Sequence, residues 1–406
     1  MPALTNIGCL ATCAAGAGQS DAGLVRNAAL AWEGATITYA GPAVELPPRF
    51  RSEAADAGGR LVVPGLVDCH THLAFGGWRA DEFEQRIQGR TYLEIAAAGG
   101  GIASTMRATR SASSVQLLTR AAAVLGGMLA LGVTTVECKS GYGLDPDQEL
   151  RLLRLYADLA ARSAQHLVPT LLAAHVIPPE YRDCREAYVR LIIEAIIPAV
   201  ARERLARCCD VFVEESAFSV DEARRILLAG RAAGLAPRLH ADQLSASGGA
   251  ELAAEVGALS ADHLEYVTPG GIAALHSGGV VAVSLPIATL YLGQRPMPAR
   301  ALIDAGVAVA VATDFNPGSA PSWHLPLALT LACALQRMTP DEALKGATLY
   351  AARAVGRERE AGSLERGKSA DFAVIDASDP REWLYYFRPN ACIETVVGGV
   401  TRWRGG

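Results

Sequence analysis

The chain is predicted to fold as an α/β protein, a (β/α)8 TIM-type barrel with a small composite β-sandwich domain built from both termini. Three observations predict it. Short apolar runs alternate with amphipathic stretches through the middle of the chain, most of those runs are continuous, and both ends carry only short strand-like segments with turn residues. Continuous apolar strands are buried on both faces, as in a parallel sheet covered by helices. Eight of them alternating with helices over roughly 250 residues predict a closed barrel. A doubly wound open sheet is the alternative.

Composition supports a large core. Of 406 residues 50% are hydrophobic and only 19% charged, which excludes a disordered chain. Forty glycines suit many tight strand-to-helix turns. Lys plus Arg is 37 against 42 for Asp plus Glu, a net charge of −5, and no basic run stands out. Nucleic acid and acidic membranes are therefore not expected partners. The nine cysteines are an odd number with no C-x-x-C pair, which argues against disulfides or a cysteine zinc site and for a reducing cytoplasm. The first basic residue is Arg26, so the apolar N-terminus lacks the charged start of a secretory signal. Residues 266–294 carry no Asp, Glu, Lys or Arg, but Pro269, two Gly-Gly pairs and Pro286 break them. They read as a short helix leading into a buried strand, not as a membrane span.

The candidate barrel strands, in order, are Leu66–His72, Thr134–Lys139, Val168–His175, Asp210–Glu215, Pro237–Ala241, Leu259–His263, Val280–Ser284 and Val307–Thr313. Helix starts lie between them. Asp145-Pro146-Asp147-Gln148 offers an N-cap and a Pro at the first helical position, and Ser219 with Glu222 and Thr339 with Glu342 read as capping boxes. The ends, 27–47 and 361–403, hold short runs such as Ala35–Tyr39 and Asp371–Ile375. Neither can bury a sheet alone, so residues 1–60 and 362–406 are expected to join into one β-domain, with the barrel spanning 61–361.

His70-Thr71-His72 ends the first apolar run. Residues i and i+2 of a strand face one side, so both imidazoles can point at one metal; two ordinary polar residues are the plainer reading. The rest of the census favours the metal. Only eight histidines are present, His175, His240 and His263 also lie at or near strand ends, and Asp314 follows the eighth strand. In a barrel those ends converge on one mouth. His166, His276 and His324 do not fit and are assigned to surfaces or loops.

Nitrogen ligands with a carboxylate suit one divalent or trivalent ion, Zn2+ in preference to iron, with room for a water whose pKa falls towards ~7. His70, His72, His240 and Asp314 form the expected ligand set, leaving His263 free as general acid/base. Lys139 raises the question of a carbamylated lysine bridging two metals. It ends the second strand rather than the fourth, which ends in Glu214-Glu215, so one metal is expected. Lys139 then serves as a salt-bridge partner or a substrate-side cation.

These residues stand in longer segments. They include Pro64–His72, Phe75-Gly76-Gly77-Trp78-Arg79, Gly99–Ile102 with Ser104-Thr105, Glu137-Cys138-Lys139-Ser140-Gly141-Tyr142-Gly143, His240-Ala241-Asp242-Gln243, Ala261–Glu265 and Thr313-Asp314-Phe315-Asn316-Pro317-Gly318-Ser319. Together they resemble the amidohydrolase superfamily and, within it, the imidazolonepropionase family of histidine degradation. H-x-H alone points only to the superfamily; the Lys-Ser-Gly-Tyr-Gly and Asp-Phe-Asn-Pro-Gly-Ser segments are far more specific. The resemblance implies a composite β-domain, with Gly362–Asp376 as its return strand. It also implies metal-dependent hydrolysis of 4-imidazolone-5-propanoate to N-formimidoyl-L-glutamate.

In that reaction Arg79 can clamp the propionate bidentately, with a surface ion pair as the alternative. Tyr142 adds a hydroxyl unless its glycines only make a turn. His175 bonds the ring or carbonyl unless it is a satisfied core residue. Asn316, Gly318 and Ser319 resemble the family's substrate and product contacts. Gly99–Gly101 lacks phosphate-loop spacing and reads as a lid or a turn. Gln243 stands where some members carry Glu; it cannot ionise and can only orient by hydrogen bonding. Catalysis then rests on His263, which stabilises the developing oxyanion, and on Asp314, which takes the water's proton and returns it to the departing ring nitrogen. A heterocycle deaminase, a binuclear cyclic amidase acting on an anionic substrate, and a non-catalytic scaffold are the alternatives. A homodimer is compatible with the architecture, and the oligomeric state stays open.

Overall fold

The computed structural model describes residues 2–405 except 17, 53, 92, 93, 96 and 97. The N-terminal segment forms β1 (Ala3–Ala11), β2 (Leu24–Glu33), β3 (Thr36–Pro42), β4 (Ala55–Asp56) and β5 (Leu61–Pro64). Next come β6 (Leu66–Asp68), β7 (Val133–Lys139), β8 (His166–Ala174), β9 (Cys208–Val213), β10 (Ala236–Ala241), β11 (Ser260–His263), β12 (Val281–Ser284) and β13 (Val309–Val311). The chain ends in β14 (Phe372–Ile375), β15 (Cys392–Val397) and β16 (Val400–Arg404).

Strands β6 to β13 make one parallel sheet in chain order, with helices between them. The seam closes through Thr71 and Phe315: His72 N–H donates to Phe315 O at 2.8 Å, and Asp314 N–H donates to His70 O at 3.1 Å. Asp68 strengthens it by accepting the Thr313 N–H and hydroxyl at 3.1 and 2.6 Å. The barrel is thus closed by the residues that carry the candidate ligands. The predicted helix starts are present, with Asp145 capping Pro146–Ala160 and both capping boxes formed at Ser219/Glu222 and Thr339/Glu342. Residues 266–294 hold two helices, Pro269–Gly278 and Pro286–Leu292, around the fully buried β12. Among the described residues no single helix is long and apolar enough to cross a membrane.

The two ends meet in a second, mixed sheet, ordered β16-β15-β14-β5-β1-β2-β3, with β4 beside β1. Its inner face packs on itself: Trp32 on β2 meets Phe372 on β14 edge-on at 5.1 Å. β5 belongs to this sheet and β6 to the barrel, so the chain changes sheet at Gly65, where a Cβ would strike the Thr134 hydroxyl at 2.2 Å. The N-terminal strand β1 was not expected. Asn6 takes a left-handed φ of 51° and the register with β2 shifts between Leu4 and Ile7, so a bulge interrupts the alternation that marks a strand. All nine cysteines are free.

Candidate metal centre and active site

His70, His72, His175, His240 and His263 gather at the barrel mouth, with ring centroids as close as 4.6 Å for His70 and His240. One nitrogen from each of His70, His72 and His240 lies within 4.8 Å of the other two, and His70, His263 and Asp314 form a second such group. Asp314 Oδ1 stands 3.3 Å from His70 Nε2 and 3.5 Å from His72 Nε2. His70 Nε2, His72 Nδ1 and His240 Nε2 are buried without a hydrogen-bond partner. A buried lone pair left unsatisfied costs about 1–3 kcal/mol, so this cluster calls for an electrophile. Imidazoles plus one carboxylate fit a borderline divalent cation.

The far nitrogens are fixed from behind. His70 Nδ1 lies 2.6 Å from Asp262 and His240 Nδ1 lies 3.0 Å from Asp210, the carboxylate support that sets tautomer and ring orientation in metal sites. Burial drives the pKa of His240 down to about 4 despite Asp210, and that of His72 down as well. Burial and Lys139 also push His70 down, but Asp262 and Asp314 outweigh them and its pKa rises. Burial raises Asp314, yet hydrogen bonds from His70 and His72 and the charge of His70 and His263 hold it well below the carboxylate range.

Beneath lies a charged layer inside the barrel. Lys139 Nζ reaches Asp210 at 2.6 Å and Glu137 at 3.0 Å; Arg238 reaches Asp262 at 2.9 Å and Glu137 at 3.3 Å. All five side chains are fully buried. Lys139 is therefore a salt-bridge partner below the ligands, out of reach of a substrate. The layer holds one more carboxylate than cations, which suits a cation above it.

Backbone geometry explains how neighbours share the mouth. Asp262 faces inward at the end of β11, so alternation sends His263 outward. A φ of 81° at His263 and 64° at Leu264 turns its ring back in. Asp314 (φ 55°) and Asp242 (φ 50°) are bent in the same way at the ends of β13 and β10. Burial lowers the His263 pKa well below the usual imidazole value, against the pull of Asp314. Its Nδ1 is buried and unpartnered, 3.9 Å from Glu265.

A cavity opens above the cluster. Arg79, Tyr142, His175, Gln243, Asn316 and Ser319 line it with His72, His240, His263 and Asp314. Arg79 is 8% exposed, and its Nε and Nη1 have no hydrogen-bond partner; the nearest carboxylate is Glu82 at 3.7 Å. His175 Nδ1 donates to Gly141 O at 3.0 Å, and burial beside His72 and His240 keeps the ring neutral, so Nε2 is an acceptor. Gln243 is held by its loop, where Glu214 accepts from Leu244 N–H at 2.7 Å and Ser245 N–H at 3.1 Å.

Asn316 shapes the eighth loop. Its oxygen accepts from Gly318 and Ser319 N–H, both at 2.8 Å, while its nitrogen donates to Asp314 O at 2.7 Å and Ser319 Oγ at 2.8 Å. All four positions of the amide are engaged. Gly318 lies behind Arg79: a Cβ there would sit 1.2 Å from Arg79 Nη2. Gly99–Gly101 forms a turn into the helix Ile102–Ser111, with Gly101 N–H bonded to Glu82 at 2.9 Å. His324 caps the helix Leu325–Gln336, whereas His166 opens β8 and meets Asp371 at 3.1 Å, in a strand rather than a loop.

Several site residues escape the sequence reading. Asp210 and Arg238 stand only within candidate strands, and Glu137 and Asp262 only within candidate strands and motif segments, with no role read for any of the four, although Glu137/Lys139 and Arg238/His240 share the i, i+2 spacing of His70/His72. Phe212, Leu292 and Gln294 also line the cavity and carry no motif, and Ile102, which ends the Gly99–Ile102 segment, lines it without having been read as a site residue.

Comparison with known proteins agrees with this geometry. Residues 61–401 match the Amidohydrolase family. The chain is 53% identical to an imidazolonepropionase of Myxococcus xanthus over 354 residues, covering 86% of this chain and 84% of that protein. It is 48% identical to one of Pseudomonas aeruginosa, with 89% and 90% covered, and 46% identical to one of Geobacillus kaustophilus, with 94% and 91% covered. Among solved structures a 5-methylcytosine deaminase from Klebsiella pneumoniae superposes with a TM-score of 0.76 at 17% identity, covering 100% of this chain and 98% of that one. An adenosine deaminase from Xanthomonas campestris gives 0.71 at 17%, with 99% and 92% covered. By fold and by sequence, the chain belongs to the amidohydrolase family and, within it, to the imidazolonepropionases.

Proposed function

We propose that the protein hydrolyses 4-imidazolone-5-propanoate to N-formimidoyl-L-glutamate in histidine breakdown, opening a cyclic amide C–N bond. One observation carries the choice of substrate. A buried guanidinium with two unpartnered nitrogens faces the same cavity as the His/Asp cluster. Such a group needs an anion, and the propionate supplies one. A neutral nucleobase, the substrate class of a deaminase, leaves Arg79 with only the long ion pair to Glu82 at 3.7 Å.

His70, His72, His240 and Asp314 would hold one metal ion, with Zn2+ favoured over iron by the nitrogen-rich set. When bound, such an ion lowers the pKa of a water towards ~7 and polarises a carbonyl. The chain supplies the rest. Arg79 and Tyr142 bind the carboxylate, and His175 and the Gln243 amide orient the ring. His263, neutral and desolvated, stabilises charge growing on the carbonyl oxygen. Asp314, held ionised, takes the attacking water's proton and passes it to the departing ring nitrogen. Asn316 and Ser319 complete the wall, with Gly318 seated behind Arg79. Nine free thiols, only Cys184 of them exposed, fit a reducing cytoplasm.

The test is turnover of freshly generated imidazolonepropionate by metal-replete and chelated protein side by side. Loss of ultraviolet absorbance with formation of formiminoglutamate, only when metal is present, is the expected result. Absence of product from protein that holds one metal per chain would discard the substrate.

A further inference from the structure

Arg86 has no task in this scheme, yet it touches three parts of the mouth. It lies in the last turn of the helix Ala80–Ile87, whose N-cap is Arg79. Its Nη1 donates to Tyr291 O at 3.3 Å and its Nη2 to Gly318 O at 3.4 Å. The guanidinium sits 4.5 Å from the Tyr291 ring centre, and Phe83 stacks on that ring at 5.3 Å and 18°. No residue of the helix is buried, so these contacts tether it.

Gly318 is consequently held at both ends, by Asn316 Oδ1 on its N–H at 2.8 Å and by Arg86 on its carbonyl. Arg79 lies directly against its Cα hydrogens, where a Cβ would fall 1.8 Å from the guanidinium carbon. The place of Gly318 therefore decides where Arg79 points. On the other side Tyr291 leads into Leu292 and Gln294, both on the cavity wall.

We infer that Arg86 is a positioning residue for carboxylate recognition: it clamps the Gly318 and Tyr291 loops to the helix that begins at Arg79, and so fixes the Arg79 guanidinium against the substrate's propionate. The inference rests on the proposed substrate. A planar fork can bridge two carbonyls and stack on a ring at once; a lysine ammonium cannot.

The experiment compares wild type, Arg86→Ala, Arg86→Lys and Tyr291→Ala on two substrates, imidazolonepropionate and 5-methylimidazolone, which lacks the carboxylate. Metal content and melting midpoint are measured alongside. Arg86→Ala is expected to raise KM for the propionate about tenfold, the worth of one charge-assisted hydrogen bond, with kcat little changed. It leaves kcat/KM for the truncated substrate as in wild type. Arg86→Lys recovers part of the loss, and Tyr291→Ala shows the same selective rise if Arg86→Ala does not fold. An unchanged KM, or an equal loss on both substrates, overturns the inference. Wild-type protein inactive on both would instead overturn the proposed function, and the inference with it.

Discussion

At Gly318 one missing methyl group decides an orientation. Gly318→Ala forces Arg79 from its seat, and the expected result is a KM raised about tenfold with kcat nearly intact, read from steady-state kinetics. His263 makes the complementary case. His263→Asn keeps a hydrogen-bonding side chain but loses the imidazole, and kcat should fall by about 10²-fold or more while bound metal stays constant. Turnover equal to wild type would remove the histidine from the chemistry. Its place in the mouth was legible from strand-end position alone. The φ of 81° that puts it there was not, because a left-handed histidine carries no sequence mark.

Glu265 links two elements. It follows β11, accepts the Thr289 hydroxyl from the helix after β12 at 3.0 Å, and is pushed up to about 8 by burial, against its backbone and Thr289 hydrogen bonds. Unfolded, it titrates near the ordinary glutamate value of 4.5, so the folded chain holds an extra proton between 4.5 and about 8. That contribution to stability is complete below pH 4.5 and is lost as pH rises to about 8. Glu265→Gln lacks the slope, so its melting midpoint relative to wild type should climb between pH 5 and pH 9. A constant gap across that range would show that Glu265 titrates normally. The elements themselves were mostly legible: capping boxes and buried runs are local signals. Strand β1 was missed because the bulge at Asn6 breaks the one pattern that marks a strand.

For the whole molecule, the proposed metal site and the closure of the barrel share the same residues. The proposed ligands lie at or just beyond the ends of β6, β10 and β13, and the seam between the first and last barrel strands lies among them. Chelation should therefore lower the melting midpoint as well as abolish turnover, and zinc at ~100 times its dissociation constant should restore about 2.7 kcal/mol. Calorimetry of apo and reloaded protein measures this, with one ion per chain at saturation. An apo midpoint equal to the loaded one would separate the metal from the closure of the barrel.

By itself the sequence determined the barrel and the composite β-domain, because hydrophobic period and capping are written locally; histidines at strand ends marked candidate ligands, and the anionic substrate came from the family resemblance. Tertiary structure alone decided the rest. It brought Lys139 and Arg238 among Glu137, Asp210 and Asp262 beneath the ligands, set Gly318 behind Arg79, and joined Arg86 to loops far along the chain. Those relations span distant residues, and their energies exist only once water has been excluded from between them.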